Sequence, residues 1–192
     1  MNFHSLVLFF ALVVLIEPGR LTAEETSSHL NQNVSLEFTQ TDWPMTFSAQ
    51  IEIPAPRGTI WEVLTDYDHW IDFLPQLESS QIIRRIDERI IVELVSREHF
   101  WFFFKRIEVT LRVLERSMEE ISFFKTGGNM EVFSGRWILN ETERGKSTRL
   151  TYLCALKPSF YAPKWMIRYK LDQDIPDLLH LISERAEKLN SK

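Results

Sequence analysis

The stretch Ile51–Pro75, IEIPAPRGTIWEVLTDYDHWIDFLP, sets the terms for the rest of the chain. A strand ends at Pro54, and Pro56 stands where a helix can begin, since its missing N–H is not needed there. Ile60, Trp61 and Leu64 share one helical face, with Val63 beside them. Asp66, Tyr67 and Asp68 break that pattern. Trp70, Ile71, Phe73 and Leu74 form a second apolar cluster before Pro75, which predicts two short helices after the strand. Helices so short bury little surface and cannot stand alone. They must lie on a larger body, and the chain beyond Pro75 is nearly all strand.

Met45, Phe47, Ala49, Ile51 and Ile53 alternate with polar residues, the period of a strand with one wet face. Val34, Leu36 and Phe38 alternate in the same way and predict an edge strand. After Pro75, strands are expected at Gln81–Ile86 and Arg89–Ser96 across an Asp87-Glu88 turn. The aromatic segment His99–Phe104 precedes the alternation Ile107, Val109, Leu111, Val113. The apolar parity changes near Lys105, where a bulge or turn is expected. Ile121 and Phe123 precede Gly127-Gly128-Asn129, a hairpin signal. Phe133, Trp137 and Leu139 share a face, Gly145 marks another hairpin, and Arg149–Lys157 is the last strand. From Lys164 the period becomes helical, with Ile175, Leu178, Leu179, Ile182, Ala186 and Leu189 in one stripe. Pro176 within it predicts a kink or a restart. The order predicts an α+β fold, a curved antiparallel sheet of six to seven strands wrapped around a long C-terminal helix. Such a sheet can leave a cavity beneath the helix.

The chain has 192 residues and a net charge of -5, so no basic excess points to nucleic acid as a partner. Residues 1–23 read as an export signal: Leu6–Ile16 is an apolar run too short to span a bilayer, and Ala23 closes a cleavage site. An uncleaved N-terminal anchor is the alternative; either way the domain is expected to be exported, periplasmic or secreted. Residues 24–33 read as a flexible lead-in and 34–192 as the folded domain. Asn33-Val34-Ser35 and Asn140-Glu141-Thr142 match the glycosylation sequon.

Motifs that carry chemistry are missing. There is no G-x-S-x-G, no H-E-x-x-H and no Gly-rich phosphate loop, and no spacing suggests a metal site or a cofactor. Cys154, the single cysteine, lies in a strand pattern and reads as core. His69 and His99 sit beside aromatic clusters and would serve as general bases only if they faced a cavity. Arg136 would hold an anionic ligand group if it pointed inward, but strand parity sets it opposite Trp137, and the tryptophan is the one expected inside. Phe160, Tyr161 and Trp165 interleave with Lys157, Lys164, Arg168 and Lys170. That mixture suits either a membrane interface or a linker packed on the sheet.

These features together resemble the START-like helix-grip (SRPBCC) superfamily, particularly its polyketide cyclase/dehydrase and coenzyme Q-binding branch. The similarity rests on Ile53-Pro54-Ala55-Pro56, on Trp61–Asp68 and on Phe73-Leu74-Pro75. Gly135-Arg136-Trp137, Thr148–Tyr152, and Pro158 with Pro163 extend it over residues 36–189. The resemblance implies a deep hydrophobic cavity for a lipid, isoprenoid, quinone or polyketide-like ligand. It brings no catalytic motif that can be carried over residue by residue. Parity and helix faces nominate Met45, Phe47, Ile51, Trp61, Phe102, Phe104, Phe123, Phe133, Trp137, Trp165, Tyr169 and Leu179 for the wall. His69, Trp70 and His99 are nominated for the rim. The first functional expectation is a carrier that sequesters or transports a hydrophobic small molecule. The alternatives are a cyclase/dehydratase using a residue such as His99 or Tyr152, and a protein-interaction module.

Overall fold

In the computed structural model the described residues are 33–86, 89–100 and 103–191, with the side chains of 99, 100, 103 and 104 set aside. The apolar run 6–16, its cleavage site, the lead-in before Asn33, the Asp87-Glu88 turn and Phe102 therefore lie outside them, as do the side chains of His99 and Phe104.

The elements are β1 (Ser35–Gln40), β2 (Met45–Ile53), α1 (Arg57–Thr65), a 3-10 helix (Tyr67–Asp72), β3 (Leu77–Ile86), β4 (Arg89–Phe100), β5 (Phe103–Arg116), β6 (Glu120–Gly128), β7 (Met130–Thr142), a 3-10 turn (Glu143–Gly145), β8 (Ser147–Pro158) and α2 (Lys164–Asn190). All pairings are antiparallel, in the order β1-β2-β8-β7-β6-β5-β4-β3. The strands from β3 to β8 form a meander, and β2 joins it beside β8. The result is the START-like helix-grip fold, with eight strands rather than the six or seven expected. β1 is the edge strand expected from Leu36 and Phe38, and its register shifts between Phe38 and Gln40.

Alternation decides the inner face. Phe47, Ala49 and Ile51 stand opposite Cys154, Tyr152 and Leu150, and all six are buried. The connection from β2 to β3 is held by polar contacts: the Thr148 hydroxyl donates to Ala55 O at 2.9 Å, and Asp68 accepts the Ile82 N–H at 2.7 Å. The Trp70 indole N–H donates to Val63 O at 3.2 Å, tying the 3-10 helix to α1.

Two expectations require correction. The β4–β5 reversal is not at Lys105: Glu98 pairs with Lys105 and Phe100 with Phe103, so the chain turns between Phe100 and Phe103. The parity change near Lys105 is the inward set passing from Val92 and Leu94 to Ile107 and Val109 as the strand reverses. Pro176 causes no restart, because α2 is one helix from Lys164 to Asn190. Pro163, the residue before its first turn, is where the missing N–H costs nothing.

The sheet also parts on one side. β6 pairs with β7 only from Glu120 to Phe124, whereas Gly127 and Gly128 stay on β5. Asn129 secures this split: its side chain accepts the Glu108 N–H at 3.0 Å and donates to Arg106 O at 2.9 Å. Gly128 has φ +94, and a Cβ there would lie 1.9 Å from Glu108 O, so glycine is required.

Candidate functional site: an aromatic cavity under the C-terminal helix

α2 packs on α1, β2 and β1. Between α2 and the inner face of the sheet a gap remains, reached by side chains of β2 and of β4–β8. The gap is a cavity of about 440 Å³, within the roughly 300–1,000 Å³ typical of small-molecule sites.

Its floor is aromatic. Trp137 and Tyr152 stack with centroids 3.9 Å apart and planes 7° from parallel. Phe47 meets Tyr152 edge-on at 5.4 Å, and Phe123 lies 5.4 Å from Phe133 and 6.2 Å from Tyr152. Aliphatic walls come from Val92 and Leu94 of β4, from the inward row of β5 including Val109, and from Leu171 and Leu178 of α2. Tyr67, Trp70 and Phe73 close one end. Tyr67 is fixed there by its hydroxyl, which donates to Glu115 at 2.8 Å. Gly135 permits the floor: a Cβ on it would meet Leu153 O at 2.2 Å and the Phe123 ring at 2.7 Å.

The inner polar groups are held in their neutral forms. Burial, and then the neighbouring Cys154, push the Tyr152 phenol well above its ordinary value. Burial pushes the Cys154 thiol up to about 12, against the effect of Tyr152. Burial and then Glu115 likewise raise Tyr67. Charge appears at the mouth. Lys170 of α2 lies 2.9 Å from Glu98 of β4 and 2.7 Å from Asp174. Burial works against the Lys170 ammonium, but these two carboxylates outweigh it and raise its pKa. No group of metal-ligating side chains exists among the described residues.

Of the nominated wall residues, Phe47, Phe123, Phe133 and Trp137 line this cavity, as does Trp70 from the rim set. Met45, Ile51 and Leu179 are buried elsewhere in the core, and Trp61 is half-buried against it. The first three pack inside the core beside lining residues of the same elements, Phe47 on β2 and Leu178 and Ile182 on α2. Trp165 and Tyr169 are corrected outright: they are 58% and 55% exposed. Ile167 and Leu171 take the inward positions of that turn, which leaves 165 and 169 on the opposite side. His69 is also exposed and pairs with Asp66 at 2.6 Å, which raises its pKa through that hydrogen bond. Arg136 faces solvent, 3.9 Å from Glu120, while Trp137 is buried.

Phe160 lines the cavity near its mouth, with the Lys105 ammonium 4.8 Å from its ring centre. The adjoining cations are paired: Lys157 with Glu131 at 2.6 Å, Lys164 with Asp42, and Arg168 with Asp172 at 3.6 Å. Tyr67, Phe73 and the inward rows of β4 and β5 are wall residues that the sequence did not nominate. Their alternation was visible, but which strands lie beyond the helix was not.

Residues 53–182 match the family described as polyketide cyclase / dehydrase and lipid transport. No curated protein matches the chain. Human STARD10 superposes with a TM-score of 0.67 at 14% identity, over 86% of this chain and 76% of its own. TTHA0849 from Thermus thermophilus gives 0.64 at 19%, over 75% and 98%. The Zhui aromatase/cyclase from Streptomyces sp. R1128 gives 0.61 at 15%, over 82% and 96%. At these identities the likeness is one of fold.

Proposed function

The chain belongs to the polyketide cyclase / dehydrase and lipid transport family, and from that premise we propose that it binds and carries one hydrophobic small molecule in the cavity under α2. The observation that supports this most is the aromatic floor, a set of stacked and edge-on rings that lines the cavity. Transfer of an apolar ligand onto such a surface is favourable at roughly 25 cal/mol per Å² buried. The volume bears on the ligand class. A cavity of about 440 Å³ with an aromatic and aliphatic lining suits an acyl or prenyl chain or a fused-ring system.

The catalytic alternative rests on Tyr152, whose phenol would have to donate a proton to a bound polyketide-like substrate. Its raised pKa suits holding a proton better than exchanging one near neutral pH. Carriage is therefore the reading adopted. In this reading Tyr161, Trp165 and Tyr169 rest at a membrane surface beside the cavity mouth during loading, and residues 1–23 direct export. Edman sequencing of the mature chain tests the export step, with Glu24 as the expected first residue.

Titration of the protein with a fluorescent single-chain fatty-acid analogue and with a tetracyclic aromatic dye tests the site. Saturable one-to-one binding of either, lost in Val109→Arg, supports carriage. Absence of binding by both, or binding unaffected by Val109→Arg, overturns it.

A further inference from the structure

The outer face of the sheet, opposite the cavity, carries a second organised surface. Cross-strand register places Arg84, Ile91, Arg112 and Phe124 in one row over β3, β4, β5 and β6. The next row reads Ile86, Arg89, Leu114, Ser122 and then Arg136. Arginine and apolar side chains thus alternate along the rows, and between them from β3 to β5. Neighbouring strands lie about 4.8 Å apart, so the pattern covers a broad patch. Ile86, Leu114 and Phe124 are 47%, 39% and 41% exposed, too much surface to ignore on one face. Arg112 lies over the Phe124 ring at 6.0 Å. Among the described residues no ion pair engages Arg84, Arg89 or Arg112, whereas Arg136 has Glu120.

We propose that this face is a docking site for an acidic amphipathic protein segment, one presenting carboxylates interleaved with aliphatic side chains. Charge complementarity is the main argument. The chain as a whole is acidic at -5, so a face on which Arg84, Arg89 and Arg112 have no ion-pair partner among the described residues runs against its composition. Exposed aliphatic groups between the arginines select a partner with apolar side chains of its own. They also argue against single-stranded nucleic acid, which would need stacking rings where Ile86, Ile91 and Leu114 stand. A symmetric pair of copies would set arginines against arginines. A bilayer is the remaining reader of such a surface, but docking by this face would turn the cavity mouth, on the other side of the sheet, away from the membrane. A protein partner here leaves the mouth free.

The test uses a synthetic helical peptide of about twenty residues with Glu and Leu on one face, labelled for fluorescence anisotropy, against the full chain. Phosphatidylglycerol vesicles serve as the competing surface. Wild type is expected to bind the peptide one-to-one, with affinity falling as salt rises. Arg89→Glu with Arg112→Glu is expected to weaken binding at least tenfold, and Leu114→Ser about threefold. Binding of the single-chain probe to the cavity is expected to be unchanged in both, which separates this surface from the proposed carrier site and confirms folding. No binding by wild type, or equal binding by the double variant, overturns the proposal. So does wild type that binds the vesicles through these arginines in preference to the peptide.

Discussion

Gly135 is the position where one added methyl group reaches the cavity. A Cβ there would overlap both the Leu153 carbonyl and the Phe123 ring, and neither can retreat without moving a strand or the floor. Gly135→Ala is expected to destabilise the fold by about 1–3 kcal/mol, as overpacking does. Urea unfolding would show this as a lower midpoint at unchanged slope. Cys154 offers a chemical reading of the same wall. With its thiol pushed up to about 12, its thiolate fraction at neutral pH is minute. Alkylation by iodoacetamide near pH 8 is expected to run on the order of a thousandfold slower than for a free cysteine. A rate near that of free cysteine would mean that the residue is open to water and charged. At this scale the sequence was informative wherever strand parity decides orientation. It separated Trp137 from Arg136 and placed Phe47, Phe123 and Phe133 on the inner face. It could not show that Trp165 and Tyr169 face solvent, because the helical stripe near Lys164 is too short to fix its phase against Ile167 and Leu171.

At the scale of elements, the decisive fact is where α2 leans. It packs on β2 and α1, and the Lys170–Glu98 ion pair reaches back from it to β4. Lys170→Met would leave the partly buried Glu98 with the Ser96 hydroxyl, at 3.1 Å, as its remaining partner among the described residues, at a cost of about 1–3 kcal/mol. Exchange of a bound probe is expected to quicken severalfold, read by stopped-flow displacement. Asp174 gives the pH arm. Burial raises its pKa above 3.8 in the folded chain despite Lys170, so the folded state holds this proton more tightly than the unfolded one. The stabilisation it provides is present below the unfolded value and is lost as pH rises through the folded value. Asp174→Asn removes that titration. The variant is expected to gain on wild type in unfolding free energy as pH rises from the ordinary carboxylate range toward neutrality, measured by denaturant titration at each pH. The strands and the long helix were legible from their periods, and the hairpins from Gly127-Gly128-Asn129 and Gly145. The lean of α2 was not, since Ile175, Leu179 and Ile182 form a stripe that would pack equally well on any apolar strand. Alternation and helical period likewise do not distinguish Met45, Ile51 and Leu179, which pack within the core, from Phe47 and Leu178, which line the cavity.

For the whole molecule, a sheet of eight strands holds a long helix over its inner face with an aromatic-floored cavity between them. The order of elements, with Pro54, Pro56 and Pro75 punctuating the first helices, carried the helix-grip fold in the sequence. The cavity's contents were not written there, because apolar side chains that pack on one another and those that pack on a ligand obey the same alternation. The ligand proposed here, an acyl or prenyl chain or a fused-ring system, rests on the cavity's apolar lining. Native mass spectrometry of protein purified without detergent, paired with solvent extraction of the same sample, tests this most directly. One apolar non-covalent ligand per chain, absent from Val109→Arg, is the predicted result. An empty chain that takes up neither the acyl probe nor the tetracyclic dye, or a ligand retained in full by Val109→Arg, would contradict it.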